Sequence, residues 1–237
     1  MYKRQVYECL KESEDSSTFL VKETVTGILC VLKWGRNRQA EFLRNEMEIM
    51  EKMADRKLSG IPKTYRIFEE NGEVYLVREY IEGMSLAQMV LQKGGISEAE
   101  ICRISRKICQ TAEQFQNPDE PMIHRDIKPE NIVVTPGGEV VFIDFGTMRS
   151  YKKDGSRDTF VVGTRGTAAP EQYGYTQTDQ RTDVYAIGQT MLYMVSESYE
   201  KNQLSECAVS RRMKKIIEKA CSCLLYTSPS PRDYAAS

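Results

Sequence analysis

Residues 122–134 read MIHRDIKPENIVV and combine an unusual density of charges with two apolar borders. Its charged side chains lie between Ile123 on one side and the apolar run 132–134 on the other, and its His124 is the only histidine of the chain. Pro129 stands among these charges and prevents a continuing helix, because proline has no backbone N–H and its ring clashes with the preceding turn. The segment is therefore predicted to be a loop with converging polar groups. The charged residues are Arg125, Asp126, Lys128 and Glu130.

Two side chains with oxygen ligands, Asn131 and Asp144, lie at the end of this loop and after the hairpin that follows it. Short strands are predicted at Ile132–Thr135 and Val140–Ile143, around a Pro-Gly-Gly turn, and Asp144-Phe145-Gly146 comes at the end of the second strand. The amide of Asn131 and the carboxylate of Asp144 then lie at adjacent strand ends, which favours a hard divalent cation such as Mg²⁺. Asp126 remains to accept a proton from an attacking hydroxyl. The alternative is that these Asp and Asn side chains cap turns locally.

Two other charges occupy positions that an apolar pattern reserves for buried residues. Glu46 falls in the middle of the apolar arc of a helix predicted over Gln39–Ala54, and Lys33 shares the strand face of Leu29 and Val31. Burying either charge alone is costly, so pairing the two across one lobe would satisfy both. The alternative is that each side chain reaches solvent past a short neighbour.

The chain changes character after its first third. Short β-branched segments and one helix precede Tyr80, and helical spacing dominates after Gly83. The sequence therefore predicts an α+β protein with a small β-rich lobe at 6–80 and a larger α-helical lobe at 81–222. The clearest predicted segments are strands at Thr18–Lys22, Ile28–Lys33 and Val74–Glu79 and an apolar helix at Val184–Val195.

Composition bounds the function. The chain has 237 residues, 41% hydrophobic and 28% charged, as in globular proteins that fold in water. A formal net charge of −1 offers no basic field for nucleic acid, and no apolar run is long enough to span a membrane. The seven cysteines are scattered, which favours reduced thiols in a cytoplasmic protein over a disulfide framework or a zinc site.

Both ends look foreign to the fold. Residues 223–237 begin with CLLYTSPSPRD, which resembles a translated sequencing adapter, and residues 1–5 resemble the complementary adapter strand. We expect both ends to be adapter-derived and the large lobe to be incomplete at its C-terminus. The alternative for the tail is a genuine Ser/Pro-rich linker.

Motifs along the chain carry a family resemblance. HRDIKPEN at 124–131, DFG at 144–146 and TDVYAIG at 182–188 resemble the eukaryotic-type protein kinase fold. GTRGTAAPEQYG at 163–174 is most similar to bacterial serine/threonine kinases. The resemblance extends over about Val6–Ser222 and implies transfer of the ATP γ-phosphate to Ser or Thr hydroxyls of protein substrates.

The resemblance also implies site residues and cofactors. ATP and Mg²⁺ are the expected cofactors, with Mn²⁺ as an alternative metal. Asp126 is expected to be the catalytic base, Lys128 to stabilise the transferring phosphoryl group, and Thr164 to bond to both. The residues expected to bind the nucleotide and its metal are Lys33 paired to Glu46, with Asn131 and Asp144 as the metal ligands.

Further implications concern regulation and support. Arg125 suggests a phosphate on the activation segment, and Thr159 or Ser156 is the expected self-phosphorylation site. Asp183 resembles the buried aspartate that holds the catalytic loop. In the family Glu171 pairs with an arginine that lies beyond the position of Ala220.

Two departures from the family pattern support a competing function. The segment Lys11–Ser17 stands where spaced glycines normally let backbone amides approach phosphates, and its acidic side chains would repel them. Arg78 replaces an apolar or small residue, and either forms an ion pair with Glu46 or Asp144 or marks a slip in the alignment. The alternative function is therefore a pseudokinase or nucleotide-sensing module with weak or no catalysis.

Overall fold

The structure is a computed structural model that describes residues 4–53, 56, 58–116, 120–151, 163–164, 166–173 and 178–222. The chain divides into two compact units. The first consists of Met1–Met84 and Val133–Met148, and the second of Ser85–Ile132 and Arg149–Ser237. Strands dominate the first unit and helices the second, which confirms the predicted α+β class.

A five-stranded antiparallel sheet with the order β1-β2-β3-β5-β4 forms the first unit. Helix α1 packs on one face of the sheet, where Ala40 and Leu43 contact Val74 and Leu76. The opposite face has its own cluster around Val21, Cys30 and Val77. The elements are β1 (Arg4–Glu12), β2 (Ser16–Glu23), β3 (Leu29–Gly35), α1 (Asn37–Met53), β4 (Thr64–Glu70) and β5 (Glu73–Glu79).

The predicted strands and helix of this unit are confirmed, with boundaries that differ by a few residues. Sequence reasoning did not single out β1 or β4. In β1 every residue after Arg4 is exposed, so the strand lacks the alternation of buried and exposed positions that reveals a half-buried strand. Arg4 and Gln5 pair with Glu23 and Lys22 of β2, so the strand includes two residues of the segment that resembles an adapter.

The first helix after the sheet, α2 (Leu86–Lys93), has a capping box formed by Ser85 and Gln88. Ser85 accepts a hydrogen bond from the backbone of Gln88, and the Gln88 side chain bonds back to the Ser85 backbone. The elements are β6 (Met84–Ser85), α2 (Leu86–Lys93), α3 (Glu98–Glu113), β7 (Met122–Ile123), β8 (Ile132–Val134), β9 (Val140–Phe142), β10 (Arg149–Ser150), α4 (Gln180–Ser196) and α5 (Arg211–Cys221). No helix within the described parts of the chain combines the length and apolar character of a membrane span.

Helices α4 and α5 approach each other closely at Gly188. A Cβ added there would lie 2.8 Å from Cβ of Ala220 and 3.0 Å from the backbone nitrogen of Cys221. Glycine therefore permits the close approach of the two helices.

Replacing Gly188 with alanine is expected to lower the free energy of unfolding by about 1–3 kcal/mol, because α5 must move to admit the methyl group. Urea unfolding measures the change. Gly137→Ala is the matched control, since its Cβ would have no neighbour closer than 3.8 Å. Equal midpoints for the two variants would contradict the packing argument.

Candidate active site

Strand β3 and helix α1 bring Lys33 and Glu46 together. Nζ of Lys33 lies 2.8 Å from Oε2 of Glu46 and 3.1 Å from Oε1. Glu46 is only 2% exposed, so this side chain in the middle of the apolar arc of α1 is buried, as the helical periodicity predicted. Of the two alternatives, the structure contains the ion pair and not two side chains that reach solvent separately.

Asp144 follows β9 and joins this pair. Its Oδ1 lies 3.2 Å from Nζ of Lys33 and accepts a hydrogen bond from the backbone N–H of Gly146. Partial desolvation opposes ionisation of Asp144, but Lys33 and the Gly146 amide outweigh it and lower its pKa to about 2. The side chain remains 46% exposed, so an ionised carboxylate oxygen is available at the surface of the first unit.

Burial acts in the opposite direction on Glu46. Desolvation raises the pKa of Glu46, while the positive charges of Lys33 and Arg78 oppose the rise. Lys33 therefore bridges two carboxylates of different character, one deeply buried and one half-exposed.

Asn45, beside Glu46 on α1, ties the helix to the segment after β9. Its side-chain amide donates hydrogen bonds to the carbonyl oxygens of Gly146 at 2.9 Å and Met148 at 2.8 Å. Sequence reasoning missed this residue. The available signal was an asparagine in the middle of a helix, where its helix propensity is poor and another reason for its presence is expected.

Replacing Asn45 with alanine is expected to speed hydrogen exchange of the backbone amides at residues 145–148, because two carbonyls lose their side-chain donor. Mass spectrometry of exchanged peptides measures the effect, which should be about tenfold in the exchange rate for a loss of about 1.4 kcal/mol. Gln92→Ala, at an exposed position of α2, is the control. Unchanged exchange at 145–148 would show that the clamp does not hold this segment.

The glycine-free turn between β1 and β2 is closed by its own hydrogen bonds. The backbone N–H of Ser13 donates to the carbonyl of Ser16 at 2.8 Å, and their hydroxyls lie 2.8 Å apart. The Asp15 carboxylate accepts hydrogen bonds from Arg36 at 2.8 Å and Asn37 at 3.0 Å. One of the acidic side chains expected to repel phosphates is thus compensated by a cation of the β3–α1 connection.

A small cleft of about 120 Å³ opens in the first unit beside this turn. Hydroxyl-bearing side chains line one part of it, and the Lys33–Glu46–Asp144 group lines another. Small polar groups next to a lysine are suited to anionic oxygen atoms. The hydroxyl-bearing residues are Ser16, Ser17, Thr18 and Thr147.

In the second unit, Asp126 is the centre of a compact hydrogen-bond network. Its Oδ1 accepts from the Thr164 hydroxyl at 2.8 Å, and its Oδ2 lies 2.7 Å from Nζ of Lys128. Lys128 also donates to Thr164 at 2.5 Å. The side-chain amide nitrogen of Asn131 donates to Oδ2 of Asp126 at 2.8 Å, which leaves its Oδ1 for another partner. Thr164 therefore bonds to both Asp126 and Lys128, as the resemblance implied.

The loop that carries Asp126 is held by buried polar groups. Asp183, 2% exposed on α4, accepts hydrogen bonds at 2.9 Å from the backbone N–H groups of His124 and Arg125. Gln172 donates to the carbonyl of Arg125 at 2.6 Å. Arg125 has a φ of 67°, a left-handed conformation that is costly for a residue with a side chain. Bonds to its flanking peptide groups stabilise that conformation and aim the next residue, Asp126.

The pH dependence of stability tests the environment of Asp183. Burial raises its pKa to about 6, against the two backbone amides that favour the ionised form. Between about pH 4 and 6 the folded protein keeps a proton that an unfolded aspartate has lost, so its free energy of unfolding falls as pH rises. The free energy of unfolding is measured in urea for the starting protein and for Asp183→Asn. We expect the difference between the two to change by about 2–3 kcal/mol across this pH window. Parallel pH profiles would contradict the raised pKa.

Two further sequence predictions have different outcomes. Oε1 of Glu171 accepts a hydrogen bond from Thr182, and its buried Oε2 has no partner among the described residues, so the expected absence of the family's partner arginine stays a prediction. Ser156 and Thr159 lie outside the described residues.

Arg78 forms neither of the ion pairs considered from the sequence. It is 5% exposed on β5, and its one hydrogen bond within the described chain runs from Nη1 to the carbonyl of Glu79 at 3.3 Å. Its Nε is buried with no partner among the described residues. Glu46 and Asp144 act on it through their fields, without salt-bridge contact.

Comparison with known proteins decides the family, since the family model of the protein kinase domain matches residues 5–233. The chain belongs to the protein kinase domain family. Within the described parts of this kinase domain, the HRDIKPEN motif supplies Asp126, Lys128 and Asn131 to one network, and the DFG motif supplies Asp144 to the group around Lys33.

Curated relatives of this kinase domain include bacterial and eukaryotic proteins. It is 32% identical over 164 residues to serine/threonine-protein kinase D of Synechocystis, covering 66% of this chain and 31% of the relative. It is 29% identical over 180 residues to serine/threonine-protein kinase B of the same organism, covering 67% and 31%. Serine/threonine-protein kinase cds1 of Schizosaccharomyces pombe is 27% identical over 177 residues, covering 71% and 37%. The matched region spans about a third of the length of each of these relatives.

Proposed function

We propose that the protein transfers the γ-phosphate of ATP to serine or threonine hydroxyls of protein substrates. The observation that carries the proposal is the network around Asp126, in which Lys128, Asn131 and Thr164 all bond to one carboxylate. Kinase-domain membership supports it, as does the similarity to proteins named serine/threonine kinases.

In this proposal Asp126 receives the proton of the substrate hydroxyl. Hydrogen bonds from Thr164 and Asn131 fix the orientation of its carboxylate, so little reorganisation is needed when the hydroxyl arrives. Lys128 is held by Asp126 and Thr164 and supplies a positive charge beside the acceptor oxygen. That charge stabilises negative charge on the group being transferred.

The residues proposed as metal ligands fit a hard cation. Asp144 offers an ionised, half-exposed carboxylate, and Asn131 keeps its side-chain carbonyl oxygen free of the bond to Asp126. Oxygen ligands of this kind suit Mg²⁺, and Mn²⁺ as an alternative. When bound, the metal would neutralise charge on the phosphate oxygens.

Lys33 is proposed to bind phosphate oxygens of ATP. Nζ of Lys33 already bridges Glu46 and Asp144, which holds the long side chain in one conformation before any ligand arrives. This preorganisation lowers the entropic cost of fixing a flexible lysine on an anion.

The second candidate is a pseudokinase, favoured by the glycine-free turn between β1 and β2. Its backbone is closed on itself by Ser13 and Ser16, so fewer amides are free to approach phosphates. The bonds from Arg36 and Asn37 to Asp15 reduce the repulsion expected from this turn and favour the catalytic candidate.

Label transfer distinguishes the two candidates. The purified chain is incubated with Mg²⁺, a basic protein substrate and ATP labelled at the γ-phosphate, and the product is hydrolysed to identify the phosphorylated amino acid. We expect phosphoserine or phosphothreonine, abolished by a chelator. Nucleotide binding in a thermal-shift assay without any label transfer would favour the pseudokinase and reject the catalytic proposal.

Further parts of the proposal concern domain limits and context. We propose kinase lobes at 6–80 and 81–222, adapter-derived ends at 1–5 and 223–237, and action in the cytoplasm on protein substrates and not on nucleic acid. Self-phosphorylation at Thr159 or Ser156 is also proposed, supported by Arg125 next to the catalytic base.

A further inference from the structure

Arg78 is a buried cation without an ion pair, and this is costly to maintain. A guanidinium stays protonated at any physiological pH, so it cannot escape the cost of burial by losing its charge. Its 5% exposure leaves it little contact with water, and its Nε is buried with no partner among the described residues. Its charge must therefore be compensated by the fields of nearby carboxylates.

Strand register places Arg78 on the same sheet face as Lys33. Arg78 pairs with Val31 and Lys33 pairs with Leu76 across β3 and β5, so all four side chains point to one side. This is the side on which α1 packs, because Leu76 contacts Leu43 of the helix. Arg78 and Lys33 therefore approach Glu46 from two neighbouring strands.

Charge balance on this face is even. Two cations, Lys33 and Arg78, stand with two carboxylates, Glu46 and Asp144. Lys33 is in direct contact with both carboxylates, and Arg78 is in contact with neither. When an anionic ligand also contacts Lys33, the lysine divides its charge between the ligand and Glu46, and Arg78 is the other cation whose field acts on this buried carboxylate.

We propose that Arg78 is the second cation of Glu46, a positioning residue that keeps this buried carboxylate compensated when Lys33 engages an anion. The guanidinium is suited to the task because it is delocalised, weakly hydrated and has a free buried donor at Nε. The functional consequence rests on the proposed function, since ATP phosphate is the anion. The charge compensation itself exists without nucleotide and is tested without it.

A double-mutant cycle in nucleotide-free protein is the test. Urea unfolding is measured for the starting protein, Lys33→Met, Arg78→Met and the double variant. Either single variant leaves Glu46 one cation, whereas the double variant leaves it none. We expect the double variant to raise the unfolding equilibrium constant at least tenfold beyond the product of the two single effects. Agreement with that product within about twofold would overturn the proposal.

The same cycle in a Glu46→Gln background shows whether the coupling passes through the carboxylate. With a neutral side chain at 46, no anion needs compensation, and we expect the coupling between positions 33 and 78 to vanish. Coupling that persists would arise from packing and would overturn the proposal.

Arg78→Lys keeps the test decisive if Arg78→Met does not fold. Lysine preserves the charge but not the shape of the guanidinium, so Lys33→Met/Arg78→Lys should unfold with a constant within about threefold of Lys33→Met alone. A larger loss would mean that shape and not charge matters, and would contradict the proposal.

Nucleotide binding tests whether the charge compensation by Arg78 matters for the proposed function. The Kd of Mg-ATP, measured by equilibrium titration, is expected to rise about tenfold in Arg78→Met and to recover partly in Arg78→Lys, because the phosphates add negative charge near a buried Glu46 that only Lys33 then compensates. An unchanged Kd would remove this consequence. Absence of phosphoryl transfer with an intact stability cycle would reject the proposed function and keep the charge role.

Discussion

Replacing Asp126 with asparagine will lower kcat by about 10²–10⁴-fold, the range that a positioned proton acceptor contributes. Asparagine has the same shape and can still accept a hydrogen bond from Thr164, so the loop should remain in place. It cannot accept the substrate proton, and it no longer offers Lys128 an anionic partner. The loss therefore falls on the chemical step.

Steady-state kinetics with a peptide substrate measures this loss. The KM for ATP should change little, since Asp126 is not proposed to contact the nucleotide. Glu113→Gln, at an exposed acidic position near the end of α3, is the control and should keep full activity. Label transfer by Asp126→Asn at the rate of the starting protein would reject Asp126 as the catalytic base.

Replacing Asp144 with asparagine will lower activity on the order of 10²-fold or more and shift its Mg²⁺ dependence to higher concentrations. The variant removes the ionised, half-exposed carboxylate whose low pKa suits it to a divalent cation. Lys33 keeps its shorter bond to Glu46, so the fold of this region should persist. Stability should fall by less than about 1 kcal/mol, since the Asp144 side chain is half-exposed and Lys33 keeps Glu46 as a partner.

Activity measured across a Mg²⁺ titration, with urea unfolding of the same samples, separates the two effects. Glu69→Gln is the control, because it also removes a half-exposed carboxylate that pairs with a cation, Arg44, but lies outside the proposed site. It should lose a similar small amount of stability and keep its Mg²⁺ dependence. Asp144→Asn activity that saturates at the Mg²⁺ concentration of the starting protein would contradict its role as a metal ligand.

Local patterns predicted a large part of the candidate site. The placement of Glu46 and Lys33 followed from helix and strand periodicity, and the structure contains their ion pair. Pro129 and the following hairpin placed Asp126, Asn131 and Asp144 correctly at a loop and at strand ends. Periodicity succeeds here because the helix and strand periods determine which face of its element each side chain occupies.

Other features depend on contacts between distant parts of the chain, which no local pattern encodes. The resemblance predicted that Thr164 bonds to Asp126, 38 positions away in the sequence, but spacing alone did not. The Asn45 clamp joins α1 to a segment 101 to 103 positions later. For Arg78, the sequence left an ion pair open, and only the packed sheet face showed a guanidinium that touches neither carboxylate.

Sequence patterns were enough to predict the α+β class, most elements of each unit and the chemical identity of the polar groups, because side-chain period and turn residues act locally. Apart from the Lys33–Glu46 ion pair, the contacts among those groups became apparent only in the folded protein. Three contacts depend on the path of the chain between elements. They are the ion pair of Asp15 with Arg36, the hydrogen bond from the Arg125 backbone to Asp183, and the burial of Arg78 with an unpartnered Nε among the described residues. Electrostatic energies vary steeply with distance and burial, and both are set by packing.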